Sequence, residues 1–405
     1  MSESLPPPFR RLAWSNLLAQ SAEQLSLAAV PLVAVLALGA GAGETGLLAA
    51  AQTLPFLLLA LPLGLLADRM PRCRLMAGAE ALRAVALLAV PALALAGLVS
   101  VPALAVLGFV AATGTAAYSV AAPSLVPALV PRAGLAVANG RLELVRSVAF
   151  AAGPALGGVL VAWSGAPPAF LLAALLSAGA ALLLRGLNEP PRALQPRRPV
   201  LHDLREGAGF AWGHPLLRPI LLTAVAWNLS WFVLQGVYAV YAVGTLGLTA
   251  TEVGVTLAAY GAGMIAGAAL AQRVVQALPF GQVIAAGPVV SVLAAGFMLA
   301  SVRWPGPVLP AMSFFLFGAG PILWTIAQTT LRQAVTPTAL LGRVSALVTM
   351  ATFGARPLGA ALGGLVGATW GPAACIALAA AGFLVQAGMI LLSPVPRLLH
   401  LPAAA

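Results

Sequence analysis

The sequence predicts an all-α membrane protein, with twelve transmembrane helices in two pseudo-symmetric six-helix bundles. Of its 405 residues 61% are hydrophobic and only 8% are charged, and the mean hydropathy is +1.00, whereas soluble domains carry about a quarter charged residues. The apolar runs are continuous over about 20 residues, the length of a membrane-crossing helix. They lack the alternation of polar and apolar residues that is typical of barrel strands.

The apolar runs give the elements in order. We predict six helices in an N-terminal bundle over residues 1–187, at 12–38, 46–66, 75–98, 102–124, 142–162 and 167–186. A linker rich in proline and charge follows at 188–199, and an amphipathic surface helix at 200–212, within a connecting region 188–215. The C-terminal bundle, 216–405, has its predicted helices at 217–244, 252–272, 282–302, 307–330, 343–367 and 373–394.

The second bundle repeats features of the first. Glu-Thr-Gly at 44–46 opens the second span, and Glu-Val-Gly at 252–254 opens the eighth. The Gly-Gly pair at 157–158 in the fifth span recurs at 363–364 in the eleventh. A repeat of this length implies two bundles related by a pseudo-twofold axis along the membrane normal.

The net charge of +11 comes from 21 basic residues, all of them arginine. They fall almost wholly between alternate pairs of apolar runs, and Arg303 is the only clear base on the other side. This asymmetry favours a membrane protein with both termini in the cytoplasm, in the inner cell membrane, over a nucleic-acid-binding protein.

A short charged segment separates the second and third spans. Gly64, Asp68, Arg69 and Arg72 fit the pattern G-x-x-x-D-R-x-G-R, although Pro71 stands where glycine is usual. The segment resembles the loop between helices 2 and 3 of the major facilitator superfamily. The resemblance implies a gate at the cytoplasmic side, in which Asp68 faces the positive N-terminus of the eleventh span, with Gly64, Arg69 and Arg72 in support. The alternative for Arg72 is a topology signal only.

The fifth span contains Gly153, Pro154, Gly157 and Gly158, and G-P-x-x-G-G at this place is similar to the motif of the superfamily's exporters. Segments 123–131 and 138–140 also resemble the branch that includes siderophore and macrolide exporters. The resemblance therefore implies export. The charged residue that many drug–proton antiporters have in helix 4 is absent from 108–118.

Glu23 lies about a dozen residues into the first span, near the expected bilayer centre, where a charge is costly unless it faces a cavity or a partner. A carboxyl in a dry site could exchange a proton near neutral pH, so Glu23 is the candidate proton carrier. The alternative is a structural hydrogen bond or a salt bridge, for which Arg356 in the eleventh span is the expected partner. Glu80 with Arg83 and Glu143 with Arg146 are expected to form local i,i+3 pairs.

Helices 1, 4, 7 and 10 line the cavity in this superfamily, and the resemblance places a substrate site there. The candidates are Asn16, Gln20, Gln24, Thr113, Tyr118, Asn228, Trp231, Gln235, Tyr238, Trp324 and Gln328. They predict a mostly apolar, aromatic pocket with amides and few charges.

Together these patterns predict a secondary active transporter that exports a hydrophobic or amphipathic small molecule by alternating access, through proton antiport. The expected partners are the small-molecule substrate, protons and the lipid bilayer, and the protein is expected to be a monomer without cofactor, metal, nucleic acid or enzymatic activity. Two alternatives stay open: an importer of a small nutrient, and a non-transporting membrane receptor or scaffold of the same fold.

Overall fold

A computed structural model describes residues 6–59, 62–63, 66–67, 70–130, 135–187 and 200–402 of the protein. This part of the chain is helical and contains no strand, which confirms the all-α prediction. The helices of the first half are α1 (Pro7–Leu38), α2 (Ala42–Leu58), α3 (Arg72–Leu95), α4 (Val101–Leu129), α5 (Leu135–Ser164) and α6 (Ala166–Arg185). A short helix, α7 (Val200–Gly213), precedes those of the second half: α8 (Leu217–Val240), α9 (Ala250–Ala277), α10 (Phe280–Ala300), α11 (Val308–Val335), α12 (Thr338–Trp370) and α13 (Pro372–Leu391).

Ten helices in the described ranges are long and apolar enough to cross a membrane. The other two long helices are α2, of which 17 residues are described, and α12, which is 33 residues long and contains two arginines. Each of the twelve predicted spans overlaps one of these helices.

Several helices extend beyond their predicted bounds. The predictions ended each helix at the charged or polar residues that mark the membrane surface, but a helix continues into water as long as its backbone hydrogen bonds are kept. Thus α1 begins at Pro7 rather than at 12, with a proline in its first turn where the missing N–H costs nothing. For the same reason α5 begins at Leu135 rather than at 142, and α12 at Thr338 rather than at 343.

Each half packs mainly within itself, and the halves are joined chiefly by two helix pairs, with a smaller contact between α2 and α8. In the first half α1 contacts α5 and α6, and α3 contacts α4 and α6; in the second half α11 packs against α9 and α10, and α8 against α12 and α13. The two main joining pairs are α2 with α12 and α5 with α9, and their contacts are nearly as extensive as the largest inside a half.

Because successive helices alternate in direction, the molecule has two end faces. We call the one with the N-terminus and α7 the terminal face, and the other the opposite face. On the opposite face Trp163, Trp304 and Trp370 are 82%, 67% and 73% exposed. Tryptophan concentrates at the membrane–water interface, so these side chains mark one membrane boundary.

The short helix α7 rests on the start of α12 at the terminal face. Glu206 forms an ion pair with Arg343, and Ala211 is buried beneath the helix. A Cβ added to Gly207 would lie 2.9 Å from the carbonyl carbon of Arg343, so only glycine allows this approach. The predicted surface helix therefore docks on the second half through its apolar side.

Candidate functional site

Two cavities meet at Arg356 in the described part of the chain. The larger has a volume of about 390 Å³ and is enclosed mainly by helices of the second half. The smaller, of about 110 Å³, lies mainly between helices of the first half. Arg356 of α12 lines both. A molecule in either cavity would therefore contact the charged side chain of Arg356, which lies at the junction of the two cavities.

Glu23 of α1 lines the smaller cavity together with Gln52, Phe56, Arg83 and Thr115. Its side chain is half-buried. Within the described residues no ion pair of 4.0 Å or less joins Glu23 to Arg356, although both face this cavity. The carboxyl group of Glu23 is therefore directed to the cavity rather than held in a salt bridge with Arg356.

Arg83 of α3 supplies the second charge of this cavity. It forms an ion pair with the buried Glu80 at 3.1 Å, which confirms the predicted i,i+3 pair. It also donates hydrogen bonds to the carbonyl oxygen of Ala19 at 3.0 Å and to the hydroxyl of Thr115 at 2.5 Å. These bonds fix the guanidinium near Glu23, a position that the sequence analysis did not assign to Arg83.

Arg356 is held by a set of aromatic rings. Its guanidinium carbon lies 4.0 Å from the ring centre of Phe353 and 5.5 Å from that of Phe232, within the range of cation–π attraction. Its Nε donates to the Oδ1 of Asn228 at 3.2 Å. The amide of Asn228 is oriented in turn by a bond from its Nδ2 to the carbonyl oxygen of Ala224, at 2.9 Å. Residues of α8 and α12 thus position one cation at the junction of the cavities.

Arginines line the larger cavity, contrary to the expectation of few charges. Arg332 in the last turn of α11 and Arg146 of α5 face it together with Arg356. Among the described residues of this wall there is no aspartate or glutamate. The sequence analysis assigned Arg146 to a local pair and Arg332 to the topology signal. Arg332 stands inside the cavity wall because α11 extends to Val335, beyond its predicted end at 330, whereas Arg146 already lay within its predicted helix.

The rest of this wall is largely aromatic. Trp227, Trp324 and Tyr260 line it. The indole N–H of Trp227 donates to the hydroxyl of Ser291 at 3.1 Å, and its ring stacks on Trp231 at 5.3 Å. These contacts hold Trp227 in one orientation, so the cavity offers a fixed aromatic surface beside its arginines.

Of the predicted substrate residues, Asn228, Trp324 and Gln328 line the larger cavity. Trp231 and Tyr238 are buried instead, 8% and 2% exposed. They pack at 5.1 Å from Phe317 and 4.7 Å from Phe314, respectively, and the hydroxyl of Tyr238 pairs with Thr256 at 2.5 Å. The predicted polar stripe of α8 is therefore divided. Asn228 faces the cavity, whereas Trp231 and Tyr238, nearer the C-terminal end of α8, face α9 and α11.

The other predicted substrate residues also lie away from both cavities. Tyr118 and Gln24 are buried, 4% and 6% exposed. The remaining four, half-buried and not in the lining of either cavity, are Asn16, Gln20, Thr113 and Gln235. Other residues of α1 and α4, such as Ser26 of α1 and Ala111 of α4, line the smaller cavity in their place.

The predicted gate falls only partly in the described ranges. Gly64, Asp68 and Arg69 lie outside the described residues. Arg72 is the first residue of α3 and is 8% exposed, which shows that it is packed rather than solvated.

The glycine motif of α5 has two sides. On one side Gly153 and Gly157 face α1: a Cβ on Gly157 would lie 3.2 Å from the carbonyl oxygen of Leu25. On the other side Gly158 faces α9, where a Cβ would lie 2.9 Å from the Cα of Gly254. The carbonyl oxygen of Pro154 also faces α9, since a Cβ on Gly254 would lie 2.6 Å from it. The motif therefore joins the two halves by backbone contact.

A second glycine contact joins α2 to α12, where a Cβ on Gly364 would lie 3.0 Å from the Cα of Gly46. Gly46 and Gly254 occupy equivalent places in the internal repeat. Each follows a helix start at which a glutamate accepts from a backbone N–H, Glu44 from Gly41 at 2.9 Å and Glu252 from Thr249 at 2.8 Å, and in α9 the Thr249 hydroxyl completes a capping box. The two closures are thus related by the pseudo-twofold axis.

Both glycine contacts lie near the opposite face, close to where α2 and α9 begin. The larger cavity reaches toward the other end, since Arg332 is in the last turn of α11. The halves are therefore closed against each other at the opposite face, with the cavity on the terminal side of that closure.

Comparison with known proteins agrees with this architecture. The family model of the Major Facilitator Superfamily matches residues 12–360. An uncharacterized MFS-type transporter, y4rN of Sinorhizobium fredii, is 31% identical over 247 residues, which cover 60% of each chain. The multidrug efflux pump Tap of Mycobacterium tuberculosis is 28% identical over 230 residues, 54% of each chain.

The enterobactin exporter EntS of Citrobacter koseri is 30% identical over 266 residues, 66% of this chain and 62% of that one. The matches thus span between about half and two thirds of the length of these curated relatives.

Solved structures share the fold at low sequence identity. The POT family transporter PepTSo superposes with a TM-score of 0.79 at 12% identity, covering 96% of this chain and 98% of that one. The nucleoside transporter NupG gives 0.76 at 11% identity, covering 96% and 99%. A bacterial homologue of the iron transporter ferroportin, in an inward-facing state, gives 0.73 at 20% identity, covering 96% and 99%.

Proposed function

The chain belongs to the major facilitator superfamily of transporters, and from this membership we propose that it exports an amphipathic small molecule in exchange for protons. The observation that carries the proposal is the pair of cavities that meet at Arg356, the smaller of which is lined by Glu23. In this proposal the protein lies in the cytoplasmic membrane with both termini inside, and its two six-helix halves move against each other.

Alternating access is supported by the two glycine contacts. Gly158 with Gly254 and Gly46 with Gly364 close the opposite face by backbone approach, without charged or bulky side chains. Such contacts separate without breaking ion pairs, so the halves could part there while they close at the terminal face. We propose that the segment with Gly64, Asp68, Arg69 and Arg72 holds the two halves together when the terminal face is closed.

Proton exchange at Glu23 is supported by its surroundings. Three arginines act on this carboxyl from different helices: Arg83 of α3, Arg146 of α5 and Arg356 of α12. Arg83 is neutralised in part by Glu80, while Arg356 bonds to a neutral amide. Arg356 belongs to the other half, so the charge of Glu23 affects how the two halves attract each other.

The export direction is supported by two observations of a different kind. The G-P-x-x-G-G motif of α5 resembles that of exporters, and its glycines form an inter-half contact. Two curated relatives of about 30% identity are an efflux pump and an exporter.

The arginines of the larger cavity favour a second candidate, the import of an anionic nutrient together with protons. An anion bound at Arg356 would compete with the ionised carboxylate of Glu23 for the same positive charge. Protonation of Glu23 would therefore strengthen the binding of the anion. The charged groups around Glu23 are otherwise Arg83 with its partner Glu80, and Arg146. Substrate and proton that favour each other move in the same direction, whereas exchange requires that they exclude each other.

One experiment separates the two candidates without knowledge of how the protein is oriented. The purified protein is reconstituted in liposomes with an imposed pH gradient and screened against dyes, macrolides and siderophores. Exchange accumulates substrate in the acidic compartment, as we expect, and co-transport accumulates it in the alkaline one. Equal distribution under both gradients, for every compound, would contradict proton-coupled transport.

A further inference from the structure

The larger cavity has an unbalanced charge. Arg332 and Arg356 line it, no acidic residue does so in the described part of the chain, and its aromatic wall carries no charge. Burying an uncompensated guanidinium is costly, so an unoccupied cavity of this kind has a strong positive potential. An anion that enters it recovers part of that cost.

Arg332 has unused hydrogen-bonding capacity. Its Nε is buried and has no hydrogen-bond partner among the described residues, although the side chain faces the cavity. Buried polar groups are almost always satisfied, so an orphaned donor at a cavity wall calls for a ligand or a water molecule. Arg332 also lies in the last turn of α11, at the terminal side of the cavity, where a molecule would enter.

Arg356 offers a second donor group farther inside. Its Nε is bonded to Asn228, while a ring of Phe353 covers one face of the guanidinium. Aromatic contact restricts the guanidinium to one plane, which suits two-point binding of a carboxylate, sulfonate or phosphate. The indoles of Trp227 and Trp324 then lie beside a head group held in this way.

We propose that the larger cavity selects amphipathic organic anions, whose acidic group binds Arg332 and Arg356 and whose aromatic or apolar body packs on Trp227 and Trp324. The inference rests on the proposed transport function and names its substrate class; because an anion at Arg356 and a proton on Glu23 favour each other, it supports co-transport with protons over exchange. The volume of about 390 Å³ is within the usual range for pockets that bind such small molecules. A simple inorganic anion would leave the aromatic wall unused.

The test uses two fluorescent probes that differ by one charge. Anilinonaphthalene sulfonate and phenylnaphthylamine share the same aromatic body, and only the first carries a sulfonate. The full chain is placed in nanodiscs of zwitterionic lipid, and dissociation constants are measured by energy transfer from tryptophan, with empty nanodiscs subtracted. We expect the sulfonate to bind at least about tenfold more tightly, since only the sulfonate accepts charge-assisted hydrogen bonds from the guanidinium groups.

Arg332→Gln should weaken the sulfonate about tenfold and leave the neutral probe within twofold. Arg303→Gln is the matched control, because Arg303 is exposed on the opposite face and its loss removes the same charge from the molecule. Arg332→Lys should recover part of the affinity. Arg356→Gln gives a second, independent variant in case Arg332→Gln does not fold.

Three results would overturn the proposal. One is equal or tighter binding of the neutral probe; another is an equal loss of sulfonate binding in the Arg303 and Arg332 variants. The third is loss of the Arg332-dependent sulfonate binding when anionic phospholipid is added to the nanodiscs, which would assign the cationic site to a lipid head group. These measurements are made at equilibrium, so a failure of export or of proton coupling would leave their outcome unchanged.

Discussion

Gly158 of α5 and Gly254 of α9 stand so close that a Cβ on either residue would lie 2.9 Å from the Cα of the other. The two halves of the protein therefore meet here through their backbones alone. The equivalent contact of Gly46 with Gly364 closes the other side of the molecule at the same level. In the proposed cycle these contacts determine how stable the state with a closed opposite face is.

Gly158→Ala should therefore open the opposite face. The added methyl would meet the carbonyl oxygen of Ala250 at 2.5 Å, and overpacking of this kind costs about 1–3 kcal/mol. Spin labels on Trp163→Cys and Trp370→Cys, which are exposed on the two halves at this face, would report a longer distance. Gly78→Ala is the control, since nothing lies within 4 Å of its added Cβ. Identical distance distributions in both variants would show that the contact does not close this face.

Arg356→Lys should reduce transport about tenfold although it keeps the charge. The lysine ammonium cannot lie flat against Phe353, at 4.0 Å in the native protein, or donate in the guanidinium geometry to Asn228. The weaker contact with the ring and the lost hydrogen bond together account for about 1–2 kcal/mol. Initial rates in proteoliposomes measure the effect, with Arg303→Lys as the control. Native rates in Arg356→Lys would mean that only the charge matters at this place.

The buried pair of Glu80 and Arg83 should be important for stability as a unit. Arg83→Met alone leaves Glu80 buried without its partner at 3.1 Å, which costs about 3–5 kcal/mol. The double variant Glu80→Leu with Arg83→Met removes both charges and should recover a large part of the apparent melting temperature in detergent. If the double variant melted lower than Arg83→Met, the bonds of Arg83 to Ala19 and Thr115 would be the dominant contribution.

The docking of α7 on α12 should depend on shape more than on charge. Arg343 and Glu206 are 17% and 44% exposed, and ion pairs of this kind contribute about 0–1 kcal/mol, so Glu206→Gln should hardly change the melting temperature. Gly207→Val would place a side chain against the backbone of Arg343 and should detach the helix. Limited proteolysis between residues 200 and 216 measures detachment; faster cleavage of Glu206→Gln than of Gly207→Val would reverse this ranking.

The sequence predicts the fold well because the signals are long and additive. Continuous apolar runs locate the helices, and the repeated Glu-x-Gly at 44–46 and 252–254 predicts their pseudo-symmetry. The structure adds a physical reason for that repeat. In both places the glutamate caps the helix and the glycine, two residues later, contacts the other half.

The site was harder to predict because it depends on which way a side chain points and how deep it lies. Glu23 and Arg356 were identified by the cost of a charge in the bilayer, and both line a cavity. Arg332 was interpreted as a topology signal, since the sequence does not tell how far a helix extends past the membrane. Trp231 shares a helix with Asn228, yet its ring turns into the aromatic cluster of Phe314 and Phe317, a contact between distant segments.

The central claim is that protonation of Glu23 couples proton movement to transport between the two halves. The most direct measurement compares wild type with Glu23→Gln in proteoliposomes, once as transport driven by a pH gradient and once as substrate exchange without a gradient. Glu44→Gln, an amide substitution at an exposed helix cap, is the control. We predict that Glu23→Gln loses gradient-driven transport by at least about tenfold while exchange stays within about threefold, since a fixed neutral side chain cannot release a proton. Full gradient-driven transport by Glu23→Gln would contradict the account.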